Sequence, residues 1–141
     1  MAEAFFNTGA AGDKILSSEF SSKSAGTATV NGLPASENSI IVLNNSWGIN
    51  LSNHRSRSLD QHMLEDAFLI LTMTRSHKIS IVRAFPHLAS RVATLKEYVG
   101  SNEGTDISDP YGMDADSYLN CAHEIKTAVN ALIAKLKNYY N

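Results

Sequence analysis

A polar, turn-rich loop, residues 106–114, carries the side chains best suited to chemistry. Pro110 fixes its own φ and biases Asp109 away from helix, while Gly112 permits a tight reversal. The loop therefore presents the Asp109 carboxylate in a defined shape. A carboxyl group held in this way beside an aromatic ring, here that of Tyr111, is a candidate general acid.

The same loop also has a structural interpretation. Asp109 and Asp114 are of a residue type that makes turns and caps helices, and a long helical pattern follows them. Local sequence leaves both interpretations open, so the elements that position the loop must decide between them.

Composition limits the class of protein. The chain has 141 residues, 43% of them hydrophobic, which is typical of one compact domain with its own core. A net charge of −2 offers no basic field for nucleic acid, and no apolar stretch approaches a membrane span. One cysteine excludes an internal disulfide and favours a reducing compartment. We expect a cytoplasmic domain that binds neither nucleic acid nor membrane.

The remaining reactive residue types predict no further site. Cys121 lies on the apolar stripe of the C-terminal helical pattern, and Thr127, not arginine, stands six residues later. We therefore expect a buried core thiol with a high pKa, not a nucleophile. The five histidines lack the spacing of metal ligands on one helical face. Neither a metal nor another cofactor is expected.

The N-terminal half predicts helices around a short strand. Residues 2–18 form a weak helical pattern, residues 20–24 can form a strand, and residues 27–32 are predicted as a loop. A further helix opens at Pro34 and stops at Gly48. Its buried side is predicted to carry Ile40, Ile41 and Leu43.

The middle of the chain predicts a helix, a buried strand and another helix. Ser58 is the expected N-cap of the first helix, because Gln61 completes the Ser-x-x-Gln capping-box pattern. Residues 67–73 are continuously apolar, as in strands buried on both faces. Thr74 is expected to cap the next helix, and Pro86 to close it.

The C-terminal part predicts a strand over residues 92–99 and a long helix from residue 118 to the end of the chain. Strands that alternate with helices indicate an α/β fold with a doubly wound parallel sheet. Ligands of such sheets bind at the carboxyl ends of the strands. Because the loop with Asp109 follows a strand's carboxyl end, the fold favours its functional interpretation.

Five segments occur in the order Ser24-Ala25-Gly26-Thr27, Gly48-Ile49-Asn50-Leu51 with His54-Arg55-Ser56-Arg57, Leu69-Ile70-Leu71-Thr72-Met73-Thr74 with His77-Lys78, Thr94-Leu95-Lys96-Glu97-Tyr98-Val99, and Asp109-Pro110-Tyr111-Gly112. Together these segments resemble the low-molecular-weight protein-tyrosine-phosphatase family, and in particular its bacterial protein-arginine-phosphatase branch, over essentially the whole chain. The resemblance implies a flavodoxin-like fold and a phosphorylated protein as substrate. Phosphotyrosine and phosphoarginine both remain open, and arsenate reduction is a more distant option.

The resemblance also implies roles for individual residues. Asp109 would be the general acid that protonates the leaving oxygen or nitrogen, and later the base that activates water. Pro110 and Tyr111 would line the substrate slot, and Ser24 would support the site. The opposite wall would be a variable loop formed by Thr27, Ala28, Thr29, Val30 and Asn31.

One family motif is absent from these residues. The family performs its chemistry with a Cys-x5-Arg-Ser/Thr loop between its first strand and first helix, and this sequence opens at Met1-Ala2-Glu3, resembling the run that follows that loop. We therefore expect residues 1–141 to be an N-terminally truncated single domain that is inactive as given. A non-catalytic relative that binds phosphoproteins or regulates a partner is the alternative.

The missing strand would be the central one of four. The strand near Ser22 would lose its neighbour, and the strand at residues 68–73 would expose unpaired backbone groups. We expect marginal stability, re-pairing of strands, or self-association through the exposed sheet.

Overall fold

The structure is a computed structural model that describes residues 1–140; Asn141, the last residue of the predicted domain, lies outside the described residues. Two helices, α1 (Ala2–Ala10) and α2 (Lys14–Glu19), replace the single helix predicted at the start of the chain. The break is local in origin, because the Asp13 carboxylate accepts hydrogen bonds of 3.0 Å from two backbone N–H groups and starts α2.

A long C-terminal helix, α7 (Ala115–Tyr140), packs against α1. Phe5 and Phe6 are buried on the facing side of α1. Gly9 allows the close approach, since a Cβ atom there would lie 2.6 Å from Cδ1 of Ile133 on α7. The predicted long helix is confirmed, and its apolar stripe is buried as expected except at Cys121, which is half-buried.

Two short strands form a parallel sheet. Strand β1 (Ile70–Thr72) pairs with β2 (Val92–Thr94), with Ile70 opposite Val92 and Thr72 opposite Thr94. Helix α5 (Arg75–Ala84) and a 3₁₀ helix (Pro86–Arg91) connect the two strands. This βαβ arrangement confirms the predicted α/β class.

Successive residues of β1 contact different cores, as expected of a strand with helices on both sides. Ile70 packs in a small cluster with Ile81 and Leu88. Leu71 packs against a larger cluster built mainly from α1, α7 and helix α3 (Glu37–Trp47). The sheet thus lies between two helical layers.

Both predicted strands were too long. The first was predicted from residue 67, yet Phe68 precedes β1 with 60% of its surface exposed. The second was predicted through residue 99, but Thr94 ends β2 and caps helix α6 (Leu95–Tyr98). A reciprocal capping box between Thr94 and Glu97 starts this helix and so ends the strand.

The strand predicted for residues 20–24 does not form. Phe20 has an extended backbone, with φ of −125° and ψ of 138°, but strand pairing within residues 1–140 joins only β1 and β2, apart from isolated bridges. The Asn7 side chain bonds Ser22 instead, accepting from its N–H at 3.1 Å and donating to its C=O at 3.3 Å. An extended segment needs a neighbouring backbone to become a strand.

Helix α3 (Glu37–Trp47) begins later than predicted, because Ser36, not Pro34, is its N-cap. Gly48 ends it in the left-handed region, with φ of 64°, as expected. Leu43 is fully buried, whereas Ile41 is 43% exposed and does not lie on the buried side. That part of the prediction was wrong.

Helix α4 (Gln61–Asp66) is capped by Asp60, whose Oδ1 accepts from the backbone N–H of Met63 at 2.8 Å. The predicted cap at Ser58 was therefore wrong. Its backbone N–H donates instead to Asn31 Oδ1 at 2.7 Å. None of the helices among residues 1–140 has the length and apolarity needed to cross a bilayer.

Candidate active site

The loop of residues 106–114 is fixed at its base to the carboxyl end of β1. Ile107 is buried, and its N–H donates to the carbonyl oxygen of Met73 at 2.9 Å. Asp106 Oδ1 accepts from the backbone N–H of Arg75 at 2.8 Å and from the Thr105 hydroxyl at 3.0 Å. These two bonds lower the pKa of the Asp106 carboxyl below its ordinary value of 3.8, and the bond from Arg75 has the larger effect.

The tip of the loop is a turn that presents Asp109. The exposed Asp109 side chain accepts one hydrogen bond, from the backbone N–H of Tyr111 to Oδ1 at 3.0 Å. Pro110 is buried, while Tyr111 is 80% exposed. Gly112 has φ of 81° and provides the reversal. The Asp109 carboxylate is therefore open to solvent above a fixed base.

The far end of the loop joins α7. Asp114 Oδ1 accepts from the backbone N–H of Ser117 at 2.9 Å and from its hydroxyl at 2.7 Å, which is the capping role expected for it. The pKa of Asp114 is lowered, first by the Ser117 hydroxyl and then by its N–H. Asn38 Nδ2 donates to the carbonyl oxygen of Met113 at 3.3 Å and ties the loop to α3. Both the turn and the cap of the structural interpretation are thus present.

Cys121 lies beneath this loop. Its thiol donates to the carbonyl oxygen of Ser108 at 3.5 Å. Partial burial is the main factor that raises the pKa of the thiol, and the carboxylates of Glu124 and Asp109 add to it. The expected high pKa is confirmed, although the side chain is half-buried rather than buried.

The predicted variable loop contacts another part of the chain. The Ser56 hydroxyl donates to the carbonyl oxygen of Val30 at 2.6 Å. Thr27 lines a shallow groove together with Asp60 and Phe85. No hydrogen bond within residues 1–140 joins residues 27–31 to residues 109–111.

Ser24 lies at the start of α1, where its hydroxyl donates to the Glu3 carboxylate. The Met1 amino group also lies there and interacts electrostatically with Cys121. The α1 N-terminus, the acid-bearing loop and the first turns of α7 therefore lie near one another. Sequence reasoning did not identify Asp106 and Ile107 as anchors, because their partners, Arg75 and Met73, lie far away in the chain.

The chain matches a known protein family over the residues that the structure describes. The sequence profile described as "Low molecular weight phosphotyrosine protein phosphatase" matches residues 1–140. The chain belongs to this family. The flavodoxin-like form of the α/β fold and the resemblance to the arginine-phosphatase branch are thereby confirmed.

Individual relatives agree with that assignment. A protein-arginine-phosphatase of Geobacillus stearothermophilus is 36% identical over 115 residues, which is 82% of this chain and 76% of that protein. The low molecular weight protein tyrosine phosphatase of T. tengcongensis superimposes with a TM-score of 0.83 at 39% identity, covering 95% of this chain and 88% of the other. The YwlE arginine phosphatase of G. stearothermophilus gives a TM-score of 0.87 at 31% identity, covering 98% and 84%.

For a member of this phosphatase family, the residue types present are informative. The printed sequence has one cysteine, and its position within α7 offers neither an arginine six residues later nor a loop of backbone amides. Cys121 is therefore unsuited to attack phosphorus. Among residues 1–140, no group of three or more His, Cys, Asp or Glu side chains is placed to hold a metal ion.

Proposed function

We propose that this protein is a protein phosphatase that hydrolyses phosphotyrosine or phosphoarginine on proteins. The observation that carries the proposal is the Asp109 loop, which hydrogen-bonds to the end of β1 and leaves the carboxylate exposed near the start of α1. In a parallel α/β sheet this is the edge where ligands bind.

The proposed reaction has two steps. A cysteine thiolate attacks phosphorus, the bond to the leaving oxygen or nitrogen breaks, and Asp109 gives its proton to that atom. Asp109, now a carboxylate, takes a proton from water, which displaces the phosphoryl group from sulfur and releases phosphate and thiolate. We propose that neither Cys121 nor any arginine of the 141 residues fills the roles of thiolate and phosphate-binding arginine in this scheme.

Substrate recognition is proposed to involve both walls of the slot. The exposed Tyr111 ring, at 80% exposure, can pack against an apolar or planar side chain of the substrate. Val30, at 63% exposure, supports a similar role for the loop of residues 27–31. Pro110 would hold Tyr111 in place, and Ser24 would orient the start of α1 through Glu3.

We propose that the 141-residue polypeptide by itself does not hydrolyse phosphorylated substrates. The test is to assay it with p-nitrophenyl phosphate and with phosphoarginine and phosphotyrosine peptides, beside the native protein purified from its source, whose intact mass is measured. We expect hydrolysis by the native protein only if it carries a second cysteine. Turnover by the 141-residue chain that persists in Cys121→Ser would contradict the proposed mechanism.

The second candidate function is binding without catalysis, which is favoured because the one cysteine of the sequence lies within α7 and not in a phosphate-binding loop. The 141-residue chain is titrated with the same peptides, and binding is monitored through its amide chemical shifts. This measurement distinguishes binding without catalysis from the proposed phosphatase activity. A native protein of 15.3 kDa that binds a phosphopeptide without hydrolysing it supports the second candidate.

We also propose that residues 1–141 form one domain that works in the cytoplasm and self-associates through the free edge of β1. That edge has no strand partner among residues 1–140. Exposed edges promote pairing with another chain. Sedimentation over a range of concentrations tests this, and a strictly monomeric chain with an ordinary cooperative thermal transition would contradict it.

A further inference from the structure

Lys96 is the buried lysine of this fold. It lies in the short helix α6 and is 5% exposed, whereas lysines are almost never fully buried unless they are paired. A buried ammonium group must recover the hydrogen bonds that it loses from water. Its partners therefore indicate what the burial accomplishes.

One partner of the ammonium group lies just before the Asp109 loop and the other lies on α7. The ammonium group donates to the backbone carbonyl of Glu103 at 3.1 Å, and Glu124 Oε1 on α7 lies 3.5 Å away. The carbonyl of Lys96 itself accepts from the N–H of Ser101 at 3.0 Å. Lys96 thus closes the segment of residues 96–103 with both its main chain and its side chain.

The segment continues directly into the base of the acid-bearing loop. Asp106, three residues beyond Glu103, bonds the start of α5, and Ile107 bonds Met73. The Lys96 bond fixes the incoming arm of the loop, while the bond from Asn38 to Met113 fixes the outgoing arm.

We propose that Lys96 is a positioning residue for Asp109, acting through the Glu103 carbonyl and the Glu124 carboxylate. The effect of Lys96 on catalysis rests on the proposed function, but its role in holding the loop in place does not. A plain filling role in the core is the competing explanation, and it predicts that loss of the charge changes the stability of the whole fold and not the loop in particular.

The first measurement needs no variant. In the ¹³C,¹⁵N-labelled protein, the Lys96 ammonium signal should be protected from exchange and should show a coupling across the hydrogen bond to the Glu103 carbonyl carbon. A rapidly exchanging Lys96 signal without that coupling would overturn the proposal.

The second measurement compares variants by amide hydrogen exchange. In Lys96→Met, the amides of Ile107 and Tyr111 should exchange about tenfold faster or more relative to those of α7, because a hydrogen bond to a charged group is lost. Lys135→Met is the matched control, since Lys135 donates to the Tyr98 carbonyl on the same short helix and not to the loop. It should leave the loop amides unchanged, and Lys96→Arg should restore most of their protection.

The proposal would be overturned if amide hydrogen exchange in Lys96→Met rose equally in the loop and in α7, or if it did not change in the loop. Activity provides an independent readout in the native enzyme. Lys96→Met should lower kcat with little change in KM, and its effect should not add to that of Asp109→Asn. If Asp109→Asn is fully active, the proposed function fails while the exchange result still decides the role of Lys96.

Discussion

The N–H of Ile107 donates a 2.9 Å hydrogen bond to the carbonyl oxygen of Met73. This bond joins the residue after β1 to a loop more than thirty positions later in the chain. Because Ile107 is also buried, the loop is anchored by both its backbone and its side chain. Asp109 lies only two residues after Ile107, so its position depends on the carboxyl end of β1.

The substitution Asp109→Asn should lower kcat of the native enzyme by roughly 10²–10⁴-fold, because an amide cannot donate the proton of a general acid. KM should change little. Steady-state kinetics with a phosphoarginine and a phosphotyrosine peptide measure both constants. Asp114→Asn is the matched control, since Asp114 caps α7; equal losses in the two variants would argue for a purely structural role of the loop.

Asp106 makes stability depend on pH in a defined direction. The pKa of Asp106 in the folded chain lies below the ordinary value of 3.8. The ionised carboxylate therefore adds to the free energy of unfolding above pH 3.8, and this contribution is lost as the pH falls through the lowered pKa. Asp106→Asn should be less stable than the unsubstituted chain near neutral pH, and the two should converge in acid. Urea denaturation over a pH series measures this, and a constant difference at every pH would refute it.

The Cys121 thiol should react with iodoacetamide only at higher pH than the same thiol in the urea-unfolded chain. Partial burial raises its pKa, and the carboxylates of Glu124 and Asp109 add to the effect. Glu124→Gln should shift the folded profile back towards lower pH. Rates of modification followed by mass spectrometry give both profiles. A folded profile at or below the unfolded one would make Cys121 a nucleophile candidate again.

Replacing Gly112 by alanine should destabilise the chain by roughly 1–2 kcal/mol, the cost of a left-handed backbone for a residue with a Cβ. The added methyl would meet no atom within 4 Å, so the cost is conformational. Gly12→Ala is the control, because that position is equally open and has no positive φ. Thermal unfolding compares them, and equal midpoints would refute the prediction.

Helix α3 offers a test of the corrected burial pattern. Leu43→Ala should cost about 2–5 kcal/mol, because a fully buried side chain leaves a cavity. Ile41→Ala should cost much less, since Ile41 is 43% exposed. Chemical denaturation of both variants measures the difference, and similar losses would mean that α3 packs through another face.

Local signals predicted much of the fold. Thr74 accepts from the N–H of His77 at 3.2 Å and starts α5, and Gly48 ends α3, both as expected. The strand predicted over residues 92–99 was wrong beyond Thr94, because the Thr94-x-x-Glu97 pattern forms a capping box there. A cap competes with strand propensity, and here the cap prevails.

Long-range partners set the limit of sequence reasoning. The turn at Asp109 follows from Pro110 and Gly112, whereas its anchoring needs Met73 and Arg75, which no local pattern links to it. The strand predicted for residues 20–24 was wrong, because strand pairing depends on a second backbone, which the local sequence does not reveal.

The bonds between the Asn7 amide and both backbone groups of Ser22 have a dynamic consequence. A strand neighbour protects a run of amides together, because its ladder opens as one unit. A single side chain protects one residue and lets the others open separately. The Phe20 N–H belongs to the end of α2, because it donates to the carbonyl oxygen of Leu16 at 3.0 Å. Residues 21–24 should therefore exchange their amide hydrogens one by one at low energy, and Asn7→Ala should release Ser22 without unfolding the core.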